Sequence, residues 1–261
     1  MPDVIFARPR WDYQSYVDLY KLIELSGYPL TFFDEIDPFS DNLYILTILN
    51  GENQTGWYNP RARIVLYDLE WRLNGEYTLP PGVACAWAAD SWYAQKIGAQ
   101  YVPLGSHPDL APRERHRNGN YDYDVATLCY SGPYRRGHAL DLLRQRDLRL
   151  SPNAWDEERE LILQHSRSMV HIHQWENVNT VAPQRFALAA AYKLPLITET
   201  LYKAGIFRYN HLIQADYASL PEITQQWVTR NDARILDEFG CNLWHLLCVE
   251  NTFRKVIEGA V

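Results

Sequence analysis

The chain has no run of eighteen apolar residues, no Cys-x-x-Cys pair, no basic excess, no internal repeat and no low-complexity tract. The first absence argues against a membrane-spanning helix. The opening "MPDVIFARPR" is too short and too charged for a secretory signal. The four cysteines, Cys85, Cys129, Cys241 and Cys248, do not suggest a disulfide framework, and Cys85 and Cys129 stand in apolar runs where thiols are ordinarily buried and inert. The expected setting is therefore a reducing, cytoplasmic one, where the sequon at Asn53 has no role. With 25 Lys and Arg against 32 Asp and Glu, net charge −7, the chain is poorly suited to non-specific nucleic-acid binding, which rests on basic surface.

What is present is an apolar fraction of 47% and an aromatic fraction of 13%, enough for a substantial core and for ring-lined clefts. Apolar runs alternate with helical spacing. "VIFA", "PLTFF", "NLYILTIL", "ARIVLYDLE", "GVACAWAA" and "AQYVPLG" read as strands; "SYVDLYKLIELSG" reads as a helix stopped at Gly27. The polar, Pro- and Gly-bearing stretch from Ser106 to Tyr121 reads as a linker. The rhythm then restarts with strands "DVATLCYSG", "LRLSP", "SMVHIHQ" and "LPLIT", and helices "RRGHALDLLRQR", "WDEERELILQHS", "FALAAAY", "TQQWVTRNDARILDEFG" and "NLWHLLCVENTFRKVIEG". This predicts an α/β protein of two parallel-sheet domains, 1–110 and 111–241, facing each other across a cleft. The last helix, 242–261, is expected to pack back on the first domain, being too apolar to hang free.

Three strand ends in the second half carry candidate chemistry. In "YSGPYRR", Gly132 permits close backbone approach and Arg135 or Arg136 stands at a helix start where anions bind; a plain turn with two solvated arginines is the bland reading. In "VHIHQWEN", alternation puts His171 and His173 on one face; a metal pair lacks an evident third ligand, and satisfied histidines at a sheet edge fit as well. In "APQRFALAAAYKLPLITE", Pro183 suits a first helical turn, yet Arg185 places a cation against the helix dipole. That conflict is relieved by a bound anion, or by a simple pair between Arg185 and Glu199. A carboxylate at a strand end can also accept from sugar hydroxyls. "DYD" at Asp122–Asp124 precedes a strand and reads as its polar entry rather than a metal motif.

These stretches resemble the nucleotide-sugar domain of GT-B glycosyltransferases. "YDVATLCYSGPYRR", "SRSMVHIHQWEN" and "QRFALAAAYKLPLITE" follow its order of a Gly/Arg turn, a strand ending near a His, and an Arg-headed helix running to a strand-end Glu. "RIVLYDLEW" and "AADSWYAQKIGAQYVPLGSHP" resemble segments of its first domain. The resemblance implies two Rossmann-like domains, with Gly132 and Arg136 (Arg135 the alternative) cradling a diphosphate and Arg185 a second phosphate contact. Glu199 would hold ribose or donor-sugar hydroxyls, His173 would lie near the donor, and Glu70 would face the cleft. The Glu-x7-Glu signature of many retaining members is missing, so the stereochemistry is left open.

The implied activity is sugar transfer from a nucleoside-diphosphate sugar, with UDP the expected nucleotide, to a hydroxyl on a glycan, a small molecule or a modified DNA base. No metal and no separate cofactor is expected. Glu52, Glu70, Asp90 and His107 are candidates for a base at the ends of first-domain segments, and Asp90 equally suits a helix cap. The polar loop "NGENQTGW" could grip an acceptor, or be an ordinary turn. A sugar-phosphate epimerase and a non-catalytic binding module of the same fold are the competing readings.

Overall fold

The computed structural model describes residues 3–10, 17–48, 61–69, 83–112, 114–116, 119–129, 135–174, 176, 180–229, 233–248 and 253–260. The chain divides into two compact units, Met1–Leu104 with Thr252–Val261, and Gly105–Asn251.

In the first unit, six parallel strands lie in the order β2-β1-β3-β4-β5-β6. They are β1 (Val4–Arg8), β2 (Leu30–Phe32), β3 (Leu43–Ile48), β4 (Arg63–Asp68), β5 (Val83–Ala88) and β6 (Gln100–Tyr101). Continuous apolar runs such as "IVLY" are what a strand buried on both faces requires, and Ile64 to Tyr67 are all buried. Helix α1 (Val17–Leu25) ends at Gly27, whose φ of 81° is the left-handed conformation a glycine stop supplies. Helix α2 (Ser91–Ile97) is capped by Asp90, which accepts from the Tyr93 backbone N–H at 2.8 Å.

In the second unit, β7 (Tyr123–Ala126), β8 (Ser166–His171), β9 (Leu196–Glu199) and β10 (Ile213–Ala215) form a parallel sheet in the order β10-β9-β8-β7. Around it lie α3 (Arg135–Arg144), α4 (Asp156–Gln164), α5 (Pro183–Ala191), α6 (Leu220–Thr229) and α7 (Ala233–Leu247). Val125, Val170, Ile172 and Ile197 from the sheet pack with Leu140 and Leu143 of α3, Leu220 and Val228 of α6, and Leu236 of α7.

Several expectations need correcting. Among the described residues of 106–121, the expected linker is replaced by contacts within the second unit. Ser106 Oγ donates to the Ala187 carbonyl at 2.6 Å, His107 caps a short 3-10 turn, and the buried Arg115 donates to the Arg167 carbonyl at 3.0 Å and pairs with Asp237. Polar side chains of this stretch satisfy backbone groups within the second unit. "LRLSP" contributes only a single bridge, Leu150 to Val125, in place of a strand.

The terminal helices also break elsewhere than expected. Helix α7 runs straight through Gly240 and the 241/242 boundary, and α8 (Phe253–Ala260) is separate from it. Phe253 is fully buried in the first unit, its ring 5.9 Å from Phe6 and 6.2 Å from Tyr28.

Gly240 lies inside α7. It is a point of close approach: a Cβ there would lie 2.0 Å from the Lys193 carbonyl oxygen at the end of α5. Gly240→Ala must push α7 off α5, so it is expected to destabilise the protein by about 1–3 kcal/mol, measurable by urea unfolding.

Candidate functional site

The site is built where the carboxyl ends of β8 and β9 meet the first turns of α3 and α5. In a parallel sheet these ends gather loops and helix N-termini, which is where ligands bind. His171 closes β8, Glu199 closes β9, Arg135 and Arg136 open α3, and Arg185 stands in the first turn of α5. The expected cluster of Arg135, Arg136, His173, Arg185 and Glu199 is thus gathered at one end of the second sheet. Gly132 lies outside the described residues, as do Glu52 and Glu70.

The contacts separate the three arginines. Arg135 is paired: Nη1 donates to Glu199 Oε1 at 2.6 Å and Nη2 to Glu199 Oε2, while Nη1 also reaches the His173 carbonyl at 3.2 Å. Its guanidinium lies 3.8 Å over the Tyr217 ring. Arg136 takes a different course. Its Nε donates to the Ile172 carbonyl at 2.9 Å, and among the described residues no carboxylate pairs with it. Arg185 Nη1 lies 3.2 Å from His171 Nδ1. The simple Arg185–Glu199 pair does not form, because Arg135 takes the carboxylate.

Electrostatics follow from this geometry. Burial disfavours the Arg136 cation, and repulsion from Arg185 adds to it, so its pKa falls to about 10. It is still charged at neutral pH, and held there at a cost. Burial pushes Glu199 up, but hydrogen bonds from His173 and Arg135 outweigh this and hold its carboxyl at about 2. Burial, then His173, Arg185 and Arg136, push His171 well below its ordinary value. His171 is therefore neutral. A guanidinium can only donate, so His171 Nδ1 accepts from Arg185 and Nε2 carries the proton.

Three guanidinium groups, those of Arg135, Arg136 and Arg185, gather at this end of the sheet, and the Glu199 carboxylate is taken by Arg135. No side chain caps α5 at Ala182, and the buried Gln184 Nε2 in its first turn has no partner among the described residues. The arrangement can take an anion, using Arg136, Arg185 and the helix N–H groups as donors.

The remaining sequence candidates have structural partners. Asp122 pairs with His165 at 2.9 Å and Asp124 with Arg149 at 2.9 Å, at the amino end of β7, away from the cluster. Among the described residues no three His, Cys, Asp or Glu side chains are placed to hold a metal. Asp90 is buried and caps α2. Asp90→Ala is expected to cost about 0.5–2 kcal/mol of stability by the loss of that cap, as read by denaturant unfolding. Sequence reading missed Tyr217, the aromatic partner of Arg135, because its place is set by the fold: its hydroxyl donates to the Arg135 carbonyl across 82 residues of chain.

No protein-family model and no curated protein sequence matches the chain. Solved structures do. The T4 phage BGT in complex with its UDP-glucose substrate aligns at TM-score 0.60 and 10% identity over 100% of this chain and 99% of its own. A DNA modifying enzyme, beta-glucosyltransferase, solved with and without uridine diphosphoglucose, aligns at 0.61 and 10% over 100% and 99%. The fold is GT-B. AviGT4, a glycosyltransferase of avilamycin A biosynthesis, shares it at TM-score 0.57 and 12% identity, with 99% of each chain covered. In this GT-B chain the arginine cluster lies at the carboxyl ends of the second unit's strands. No described helix is long and apolar enough to cross a membrane.

Proposed function

We propose that the chain is a glycosyltransferase that moves a sugar from a nucleoside-diphosphate sugar, a UDP-sugar, to a hydroxyl acceptor. The observation that carries this reading is the Arg136–Arg185 pair. Two partly buried guanidinium groups repel each other at the head of two helices, and a diphosphate between them relieves that repulsion. The leaving diphosphate gathers negative charge as the glycosidic bond breaks. Donors fixed beforehand on that charge lower the barrier by about 3 kcal/mol each. Arg136, Arg185 and the α3 and α5 N-termini supply them, so no divalent cation is required. Glu52 and Glu70 are the candidates for the base that takes the acceptor proton.

A second, narrower reading gives the acceptor as a hydroxymethylated base in DNA. It is supported by the likeness, over nearly the whole of both chains, to the DNA modifying beta-glucosyltransferase. The test is UDP release from a panel of UDP-sugars in EDTA, with no acceptor, with hydroxymethylated DNA, and with simple glycans. Slow release from one donor, accelerated by one acceptor, is the expected result. Release only after Mn²⁺ is added would overturn the metal-free mechanism, and no release from any donor would overturn the enzyme reading.

A further inference from the structure

Glu199 sits at the centre of the cluster, yet its contacts are not those of a residue waiting for a ligand. It is 1% exposed. Oε1 accepts from Arg135 Nη1 at 2.6 Å and from the His173 backbone N–H at 2.7 Å, and Oε2 accepts from Arg135 Nη2. A carboxylate offers about four lone-pair sites, and charge-assisted or backbone donors already fill three here. Arg135 is held from its other side as well. Tyr217 lies against its guanidinium and donates its hydroxyl to the Arg135 carbonyl at 2.8 Å. Head and backbone of this one residue are thus both fixed.

The next residue is Arg136, whose Nε reaches the Ile172 carbonyl, the residue just before the amide that Glu199 accepts. Glu199 therefore ties together the first turn of α3 and the end of β8, the two segments that aim Arg136.

We propose that Glu199, together with Tyr217, is a positioning residue. It fixes Arg135 and the head of α3 so that Arg136 stands beside Arg185 on the diphosphate, and it does not itself bind the ribose or sugar hydroxyls. The proposal rests on the reading that this site takes a nucleoside diphosphate. A bidentate Arg–carboxylate pair is directional, which is what holding a helix head at a set angle requires.

The test uses three ligands, UDP, 2′,3′-dideoxy-UDP and uridine, titrated against the wild-type chain, Glu199→Gln and Tyr217→Leu. Loosening the support of a binding group costs about 10- to 100-fold in affinity. Both variants are expected to lose that much for UDP, the same factor for the dideoxy nucleotide, and nothing for uridine. Tyr217→Leu leaves the Glu199 carboxylate in place, so it reports even if Glu199→Gln does not fold. If Glu199 held the ribose, Glu199→Gln would weaken UDP but not the dideoxy nucleotide, which overturns the proposal. Unchanged UDP affinity in Tyr217→Leu also overturns it. A wild-type chain that binds no UDP overturns the donor reading itself, a result distinguishable from either of these.

Discussion

Arg136→Met should remove most of the affinity for UDP and leave the melting temperature unchanged or higher. Both halves follow from one fact. The Arg136 cation is partly buried near Arg185, and burial followed by that repulsion lowers its pKa to about 10. The folded state therefore bears a cost for the charge at every pH below about 10, and the cost fades as pH rises from there toward the unfolded value. Methionine keeps much of the packing volume and removes the charge, so stability is not lost. The bound diphosphate loses a charge-assisted contact worth about 1.5–3 kcal/mol, roughly 10- to 150-fold in affinity. Titration of UDP and a melting curve on the same preparation check both. A fall in melting temperature with UDP affinity preserved would make Arg136 a structural residue.

Glu199→Ala should do the opposite to stability. It strands the Arg135 guanidinium, whose side chain is 12% exposed, beside a now unpaired His173 amide. Breaking one side of a buried pair costs about 3–5 kcal/mol. Arg135→Ala should cost a similar amount, and the double variant less than the sum, because the second change removes a charge that has already lost its partner.

The pH dependence distinguishes this pair from the histidine beside it. The Glu199 pKa of about 2 lies below its unfolded value of 4.5. Its stabilisation is therefore complete above about 4.5 and lost as pH falls through 2. His171 is depressed by burial and neighbouring cations from 6.5, so its contribution is present above about 6.5 and declines on acidification below that. Stability measured from pH 8 to 4 should therefore fall first through His171 while the Arg135–Glu199 pair persists. Denaturant unfolding across this range in wild type, Glu199→Ala and His171→Phe reads the two contributions separately.

The sheet of each unit was legible because strands buried on both faces must be continuous apolar runs, as "IVLY" and "LPLIT" are. The alternation in "VHIH" correctly put His171 and His173 on one side, their rings 4.9 Å apart with Ile172 in the core. The order of strand-end residues located the cluster. What it could not show was the pairing inside it. Arg135 and Arg136 are adjacent and chemically identical, and only the placement of the α3 head in the fold gives the carboxylate to Arg135. Tyr217 was invisible for the same reason, being far away in sequence. The reason for a glycine at 240 is the Lys193 backbone, a close approach that no local pattern carries. The short β10 was missed because three residues of alternating burial give too little periodicity to register.

In the proposed function, Arg136 and Arg185 hold a nucleoside diphosphate without a metal. Calorimetric titration of UDP in EDTA, on wild type and on Arg136→Met and Arg185→Ala, measures this directly. Saturable binding by wild type, weakened about 10-fold or more in each variant with the folded fraction unchanged, is the predicted result. Binding that appears only on addition of Mn²⁺, or that both variants retain in full, would contradict it.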